Sequence, residues 1–126
     1  MAGRPLVLLV DDEFAILAVV SELLESEGYE VITAADGEAA LESLRARRPD
    51  AVVLDVMLPR RSGPEVVRAM RADPALARTP VLLMTAVPWL IDKDIAQDCL
   101  VVHKPFSVER MLGALESMLR GGAPRG

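Results

Sequence analysis

The stretch Ala51-Val52-Val53-Leu54-Asp55, continued by Val56-Met57-Leu58-Pro59-Arg60-Arg61-Ser62-Gly63, decides the fold. It is a short apolar run, bounded by Pro49-Asp50 on one side and stopped by a carboxylate on the other. A β-branched run of that length reads as a strand buried on both faces, as in parallel sheets covered by helices, rather than as a helix. Asp55 then stands at the carboxyl end of the strand, where open α/β sheets bind ligands. Proline and glycine mark the continuation as a loop.

The same design recurs outward in both directions. Leu6 to Val10 is wholly apolar and ends on Asp11 and Asp12; Val31-Ile32-Thr33 is β-branched; Val81-Leu82-Leu83-Met84 ends on Thr85; Cys99-Leu100-Val101-Val102 ends on His103-Lys104-Pro105. Helical spacing fills the intervals. Ile16, Leu17, Val20, Leu23 and Leu24 form one apolar face, with Asp11 or Asp12 to cap its start and Gly28 to stop it. Asp36 is the expected N-cap of a helix carrying Ala40, Leu41 and Leu44, closed by Pro49. Ser62-Gly63-Pro64-Glu65 has the spacing of a capping box ahead of Val66, Val67 and Met70, and Asp73-Pro74 breaks that helix. Pro88-Trp89-Leu90-Ile91 begins a short fourth helix; Ser107 caps a fifth with Val108, Met111, Leu112, Leu115 and Leu119 on one face, ended by Gly121-Gly122. Five strands alternating with five helices specify an α/β fold, a five-stranded parallel sheet with helices on both faces.

A chain of 126 residues, 52% hydrophobic and 26% charged, is one globular domain, here residues 1–120, with 121–126 as a flexible tail or the start of a linker. Only 3% of residues are aromatic, so the core is aliphatic. A net charge of −5 argues against nucleic acid as a partner of this domain. Arg45, Arg47 and Arg48 cluster where they complement a helix C-terminus. The single cysteine, Cys99, excludes an internal disulfide and reads as a small hydrophobe. Leu6 to Val10 is too short for a signal-peptide core or a membrane span, which makes a reducing cytoplasm the default. His103 lacks a second histidine or a cysteine of metal-site spacing and reads as a polar edge-strand residue; Trp89 reads as a packing residue or interface anchor.

Chemistry gathers at the strand ends: Asp11 with Asp12, Asp55, Thr85 and Lys104. Three carboxylates brought together repel one another, and protonation of one or a divalent cation relieves them. Magnesium suits all-oxygen ligands; Asp12 and Asp55 with a loop carbonyl such as that of Met57 would suffice, with Asp11 holding a ligand water. A carboxylate beside Mg2+ can attack a phosphoryl group, and Asp55 is the best-placed nucleophile. Lys104 offers an ammonium and Thr85 a hydroxyl for the phosphoryl oxygens.

Taken together, Asp11-Asp12-Glu13, Asp55 in Asp-Val-Met-Leu-Pro with Gly63 beyond, Met84-Thr85-Ala86 and Lys104-Pro105-Phe106 resemble the receiver domain of two-component response regulators, from Leu6 to about Arg120. The resemblance implies a flavodoxin-like sheet of order 2-1-3-4-5 and phosphorylation of Asp55 by a histidine kinase or phosphotransfer protein. It implies that Asp11 and Asp12 organise Mg2+, that Thr85 and Lys104 read the phosphorylated state, and that the Lys104-Pro105 bond is cis. The output would be binding to a protein target rather than turnover, the domain catalysing only its own phosphorylation and dephosphorylation. A homodimer through the last helices is compatible with it.

Some positions depart from the family pattern. The segment between Thr85 and Lys104 is short, and the usual aromatic three residues before the lysine is Val101. A valine cannot rotate between buried and exposed states, so a signal would pass by repacking or ordering the fourth helix around Trp89. At the two positions that tune phosphate lifetime in the family stand Met57 and Val87. Neither side chain can orient a water, which implies a long-lived aspartyl phosphate. Two alternatives remain open: a constitutive protein-interaction module with a degenerate switch, and a magnesium phosphatase with an aspartate nucleophile. The latter commonly needs an acid where Met57 stands.

Overall fold

The computed structural model describes residues 3–104 and 107–120. Five strands, β1 (Leu6–Val10), β2 (Glu30–Ala34), β3 (Ala51–Asp55), β4 (Val81–Thr85) and β5 (Leu100–His103), form one sheet. Their order is β2-β1-β3-β4-β5, and every neighbouring pair is parallel. The helices are α1 (Phe14–Ser26), α2 (Gly37–Arg47), α3 (Gly63–Arg71) and α4 (Lys93–Gln97) between strands, and α5 (Val108–Leu119) after β5.

Strand periodicity divides the core in two. Successive side chains point to opposite faces, so Leu8, Val10, Val52, Leu54, Val81 and Leu83 pack under α2, α3 and α4. Val7, Leu9, Ala51, Val53, Leu82 and Met84 pack under α1 and α5. Strands covered on both sides are apolar along their length, which is why β3 and β4 are unbroken apolar runs up to their last residues, Asp55 and Thr85. β2, at the edge, buries only Ala34.

Local signals set most helix ends. Asp36 accepts from the Ala39 N–H at 2.8 Å and caps α2. Ser62 and Glu65 close the expected capping box at α3, and Ser107 accepts from Arg110 N–H at the start of α5. Arg45 and Arg47 lie in the last turn of α2, as the dipole favours. On α5 the buried stripe is Met111, Leu115 and Met118; Val108 is exposed and Leu119 half-buried, so that face is rotated from the expected one.

Two further expectations are corrected. Neither Asp11 nor Asp12 is the N-cap of α1: that position is Glu13, which makes no side-chain cap bond. Nor does the fourth helix begin at Pro88. Pro88–Leu90 is a separate 3-10 turn, Ile91 is extended, and α4 holds five residues. Burial explains the break, because leaving the helix lets Ile91 reach the core beside Ile95. Trp89 therefore lies ahead of α4 rather than on it. The Lys104-Pro105 bond and the tail from Gly121 lie outside the described residues. Among the described residues no helix is long and apolar enough to cross a membrane.

Candidate functional site

The sheet brings the sequence-predicted acids to one edge. Asp11 follows β1 directly, its N–H donating to Ala34 O at 3.2 Å, and its carboxyl is fully buried. Oδ1 accepts from Glu13 N–H at 2.9 Å. Oδ2 has no hydrogen-bond partner among the described residues. Asp55, last in β3, is 6% exposed, whereas Asp12 sits at the rim. One oxygen of each carboxylate lies within 4.8 Å of the others.

Lys104 reaches this cluster from β5. Its backbone N–H donates to Thr85 O at 2.7 Å, which sets the level of the residue against β4. Its Nζ donates to Asp55 Oδ2 at 3.2 Å and stands 3.7 Å from Asp11 Oδ2, close enough for charge attraction but not for a hydrogen bond. One ammonium thus serves two buried carboxylates. Burial is the main cause that raises the Asp55 carboxyl above its ordinary range, and Asp11 adds to it; Lys104 and the Met57 backbone amide oppose them. For Lys104, burial favours the neutral amine, but Asp55, then Asp11 and Glu13, outweigh it and raise its pKa. The ammonium stays charged while Asp55 remains under-compensated.

A buried acceptor without a donor costs about 1–3 kcal/mol. Asp11 Oδ2 is such an acceptor, and a set of three carboxylate oxygens fits a hard divalent cation. This orphaned oxygen is the feature that makes the cluster more than an acidic surface.

The remaining expected residues spread outward. Thr85 is buried, and its Oγ1 accepts from Val87 N–H at 3.0 Å. The Met57 side chain is 71% exposed. Val101 is half-buried and packs into the core under α2, α3 and α4. Trp89, 72% exposed, meets the His103 ring at a centroid distance of 6.4 Å and 50° tilt. Asp11, Asp12, Asp55 and Lys104 therefore form one cluster, with Thr85 bonded to the backbone of Lys104, while Val101 and Trp89 occupy different surroundings. Sequence reading understated His103: its Nε2 donates to Ala86 O at 3.0 Å, fastening the end of β5 to the residue after Thr85. It stands directly before Lys104 and beside Thr85 in the register of β4 with β5, a pairing that the sequence does not display.

A doubly wound sheet of this order, with a lysine-paired aspartate and an acidic cluster at its carboxyl edge, is a flavodoxin-like domain of the CheY fold. The family model for the response regulator receiver domain matches residues 7–116, and the chain belongs to that family: it is a receiver domain of two-component response regulators. The chain is 42% identical to the probable transcriptional regulatory protein TcrX of Mycobacterium tuberculosis, over 94% of this chain and 51% of that protein. It is 39% identical to the alkaline phosphatase synthesis transcriptional regulatory protein PhoP of Bacillus subtilis, over 90% of this chain and 48% of that protein. The chain thus spans about half the length of these relatives. Among solved structures, chemotaxis response regulator CheY4 of Vibrio cholerae superposes with TM-score 0.81 at 35% identity, covering 90% of this chain and 97% of that one. The receiver domain of sensor histidine kinase PA1611 from Pseudomonas aeruginosa superposes with TM-score 0.83 at 29% identity, covering 94% and 99%. That structure has a magnesium ion coordinated in its active site cleft.

Proposed function

We propose that Asp55 accepts a phosphoryl group from the phosphohistidine of a histidine kinase or phosphotransfer protein, and that the product changes how the domain binds a protein target. The observation that carries this reading is the Asp55 carboxylate, nearly buried at a strand end, hydrogen-bonded to Lys104 Nζ at 3.2 Å beside the orphaned Asp11 oxygen. A carboxylate oxygen of Asp55 forms the new bond to phosphorus as the phosphorus–nitrogen bond of the donor breaks, and the imidazole leaves with the electron pair and takes up a proton. Lys104 holds Asp55 in place and offers the same ammonium to the phosphoryl oxygens. Thr85, whose Oγ1 now accepts from Val87 N–H, keeps its hydroxyl proton to donate toward them. Asp11, Asp12, Asp55 and the Met57 carbonyl are the groups to hold Mg2+, which when bound supplies counter-charge to the phosphoryl oxygens. The apolar side chains of Met57 and Val87 leave hydrolysis without a water-orienting group, which favours a long-lived product.

Output in this reading is binding, in the cytoplasm and without turnover of other substrates. Thr85, Val101 and Trp89 are its switch residues, and residues 1–120 are its receiver unit. A second reading, a constitutive interaction module, is favoured by Val101, which packs into the core and offers no aromatic to reorient. Treatment with a small phosphodonor and Mg2+ decides the matter: intact mass should rise by one phosphoryl group in wild type and not in Asp55→Asn. Absence of the gain in wild type would overturn the proposal. A gain without any change in Trp89 fluorescence or in protein binding would instead favour the constitutive module.

A further inference from the structure

We propose that Gly37, in the first turn of α2, is a positioning residue for the phosphoacceptor site, acting through the loop between β3 and α3. The inference rests on the reading of Asp55 as phosphoacceptor. Residues 56–62 run from Asp55 to α3 and are closed on themselves by Gly63 N–H donating to Val56 O at 2.9 Å. Within the loop Arg60 takes a left-handed backbone, φ 72°, which an L side chain adopts only when its surroundings hold it there.

Those surroundings are three consecutive residues at the start of α2. Asp36 Oδ2 pairs with Arg60 Nε at 3.6 Å, Gly37 N–H donates to Pro59 O at 3.2 Å, and Glu38 Oε2 accepts from Arg61 Nε at 2.9 Å. At Gly37 the backbones approach so closely that an added Cβ would overlap the Arg61 carbonyl oxygen and lie 2.5 Å from Arg61 Cβ. The far end of the loop is equally tight: a Cβ on Gly63 would lie 2.6 Å from Asp55 O and 2.9 Å from Val56 Cα. A strut of backbone contacts therefore runs from the start of α2, through the loop that carries Met57, to the main chain of Asp55. Any side chain at position 37 must push the strut, and with it the Met57 backbone, away from the carboxylates.

Calorimetric titration with Mg2+ tests this on the full chain. Gly37→Ala should weaken Mg2+ binding by about tenfold while the circular dichroism spectrum stays that of the folded protein. Arg61→Ala, which removes only an exposed tie, should weaken it by about twofold. Gly113→Ala, at a helix position with nothing within 4 Å of the added carbon, should leave it unchanged. A merely structural role for Gly37 would lower the melting temperature and leave the Mg2+ affinity of the folded protein intact, and that result overturns the proposal. Should Gly37→Ala fail to fold, an unchanged affinity in Arg61→Ala overturns it equally. Phosphorylation of wild type at Asp55 is followed in parallel. Its absence removes the underlying reading, whereas a normal wild type with a normal Gly37→Ala removes this inference alone.

Discussion

The two segments that leave the sheet on either side of Asp55 and Thr85 are built on opposite plans. The β3–α3 loop is closed by Gly63, pressed against Gly37 and tied to α2 by Pro59, Arg60 and Arg61. The segment from Ala86 to Gln97 has a 3-10 turn with Trp89 and Leu90 exposed, and a five-residue helix whose one buried side chain is Ile95. What holds α4 beyond that is half-buried Ala96 against the core and ion pairs from α3, Arg68 to Asp92 and Asp94 at the surface, with the less exposed Arg71 to Asp98 beyond its end. Exposed pairs contribute roughly 0–1 kcal/mol each. The side that aligns groups around Asp55 is thus preorganised, whereas the segment after Thr85 is held by fewer buried contacts and more surface pairs.

The strongest way to break this contrast is to attack the rigid side. Gly63→Ala should lower unfolding stability by roughly 3 kcal/mol in urea denaturation, since the added carbon meets backbone rather than a movable side chain. A loss below about 1 kcal/mol would mean that the loop yields as easily as its counterpart.

Next comes the charge that the rigid side supports. The Asp55 carboxyl is raised above its ordinary value of 3.8, so across the interval between the two values the folded protein keeps a proton the unfolded chain has lost. Its contribution is present below the ordinary value and is lost as pH rises through the raised one. In chelator, the stability of wild type relative to Asp55→Asn should fall over that interval, leaving Asp55→Asn the more stable protein at neutral pH. A wild type that gains stability relative to Asp55→Asn there would reverse the electrostatic picture.

Cys99 sharpens the other side. It is buried just after α4, and burial pushes its thiol up to about 12. A disulfide reagent at mildly alkaline pH should label it only through opening of this segment, at a rate faster than global unfolding. Labelling no faster than unfolding would make α4 as firm as β3. The smallest effect belongs to Trp89→Ala, which should alter stability by less than about 0.5 kcal/mol, because the residue is 72% exposed. Thermal melts are sufficient to check it.

These differences also explain what could be read from the sequence. β1, β3 and β4 announce themselves because strands covered on both faces must be apolar throughout, and the crossover rule then brings their terminal acids to one edge. Asp11, Asp12, Asp55 and Thr85 were legible on that ground, and Lys104 as the polar end of the fifth apolar run. The 3.2 Å contact between Lys104 and Asp55 joins groups 49 residues apart and was not. Pro88-Trp89-Leu90-Ile91 looks helical by composition, but burial of Ile91 outweighs local preference. Asp36-Gly37 shows its capping role locally, whereas its bracing of Arg60 and Arg61 is tertiary: Glu38 and Arg61 are 23 residues apart.

The single ammonium shared by Asp55 and Asp11 has a consequence for what the cleft admits. With three carboxylates and one lysine, the cleft carries surplus negative charge before any donor arrives. A phosphorylated donor is itself an anion, so approach is repulsive until a cation has restored the balance. On the proposed function the cleft would then act as a two-input gate, its response following the product of donor and divalent cation at low occupancy of both.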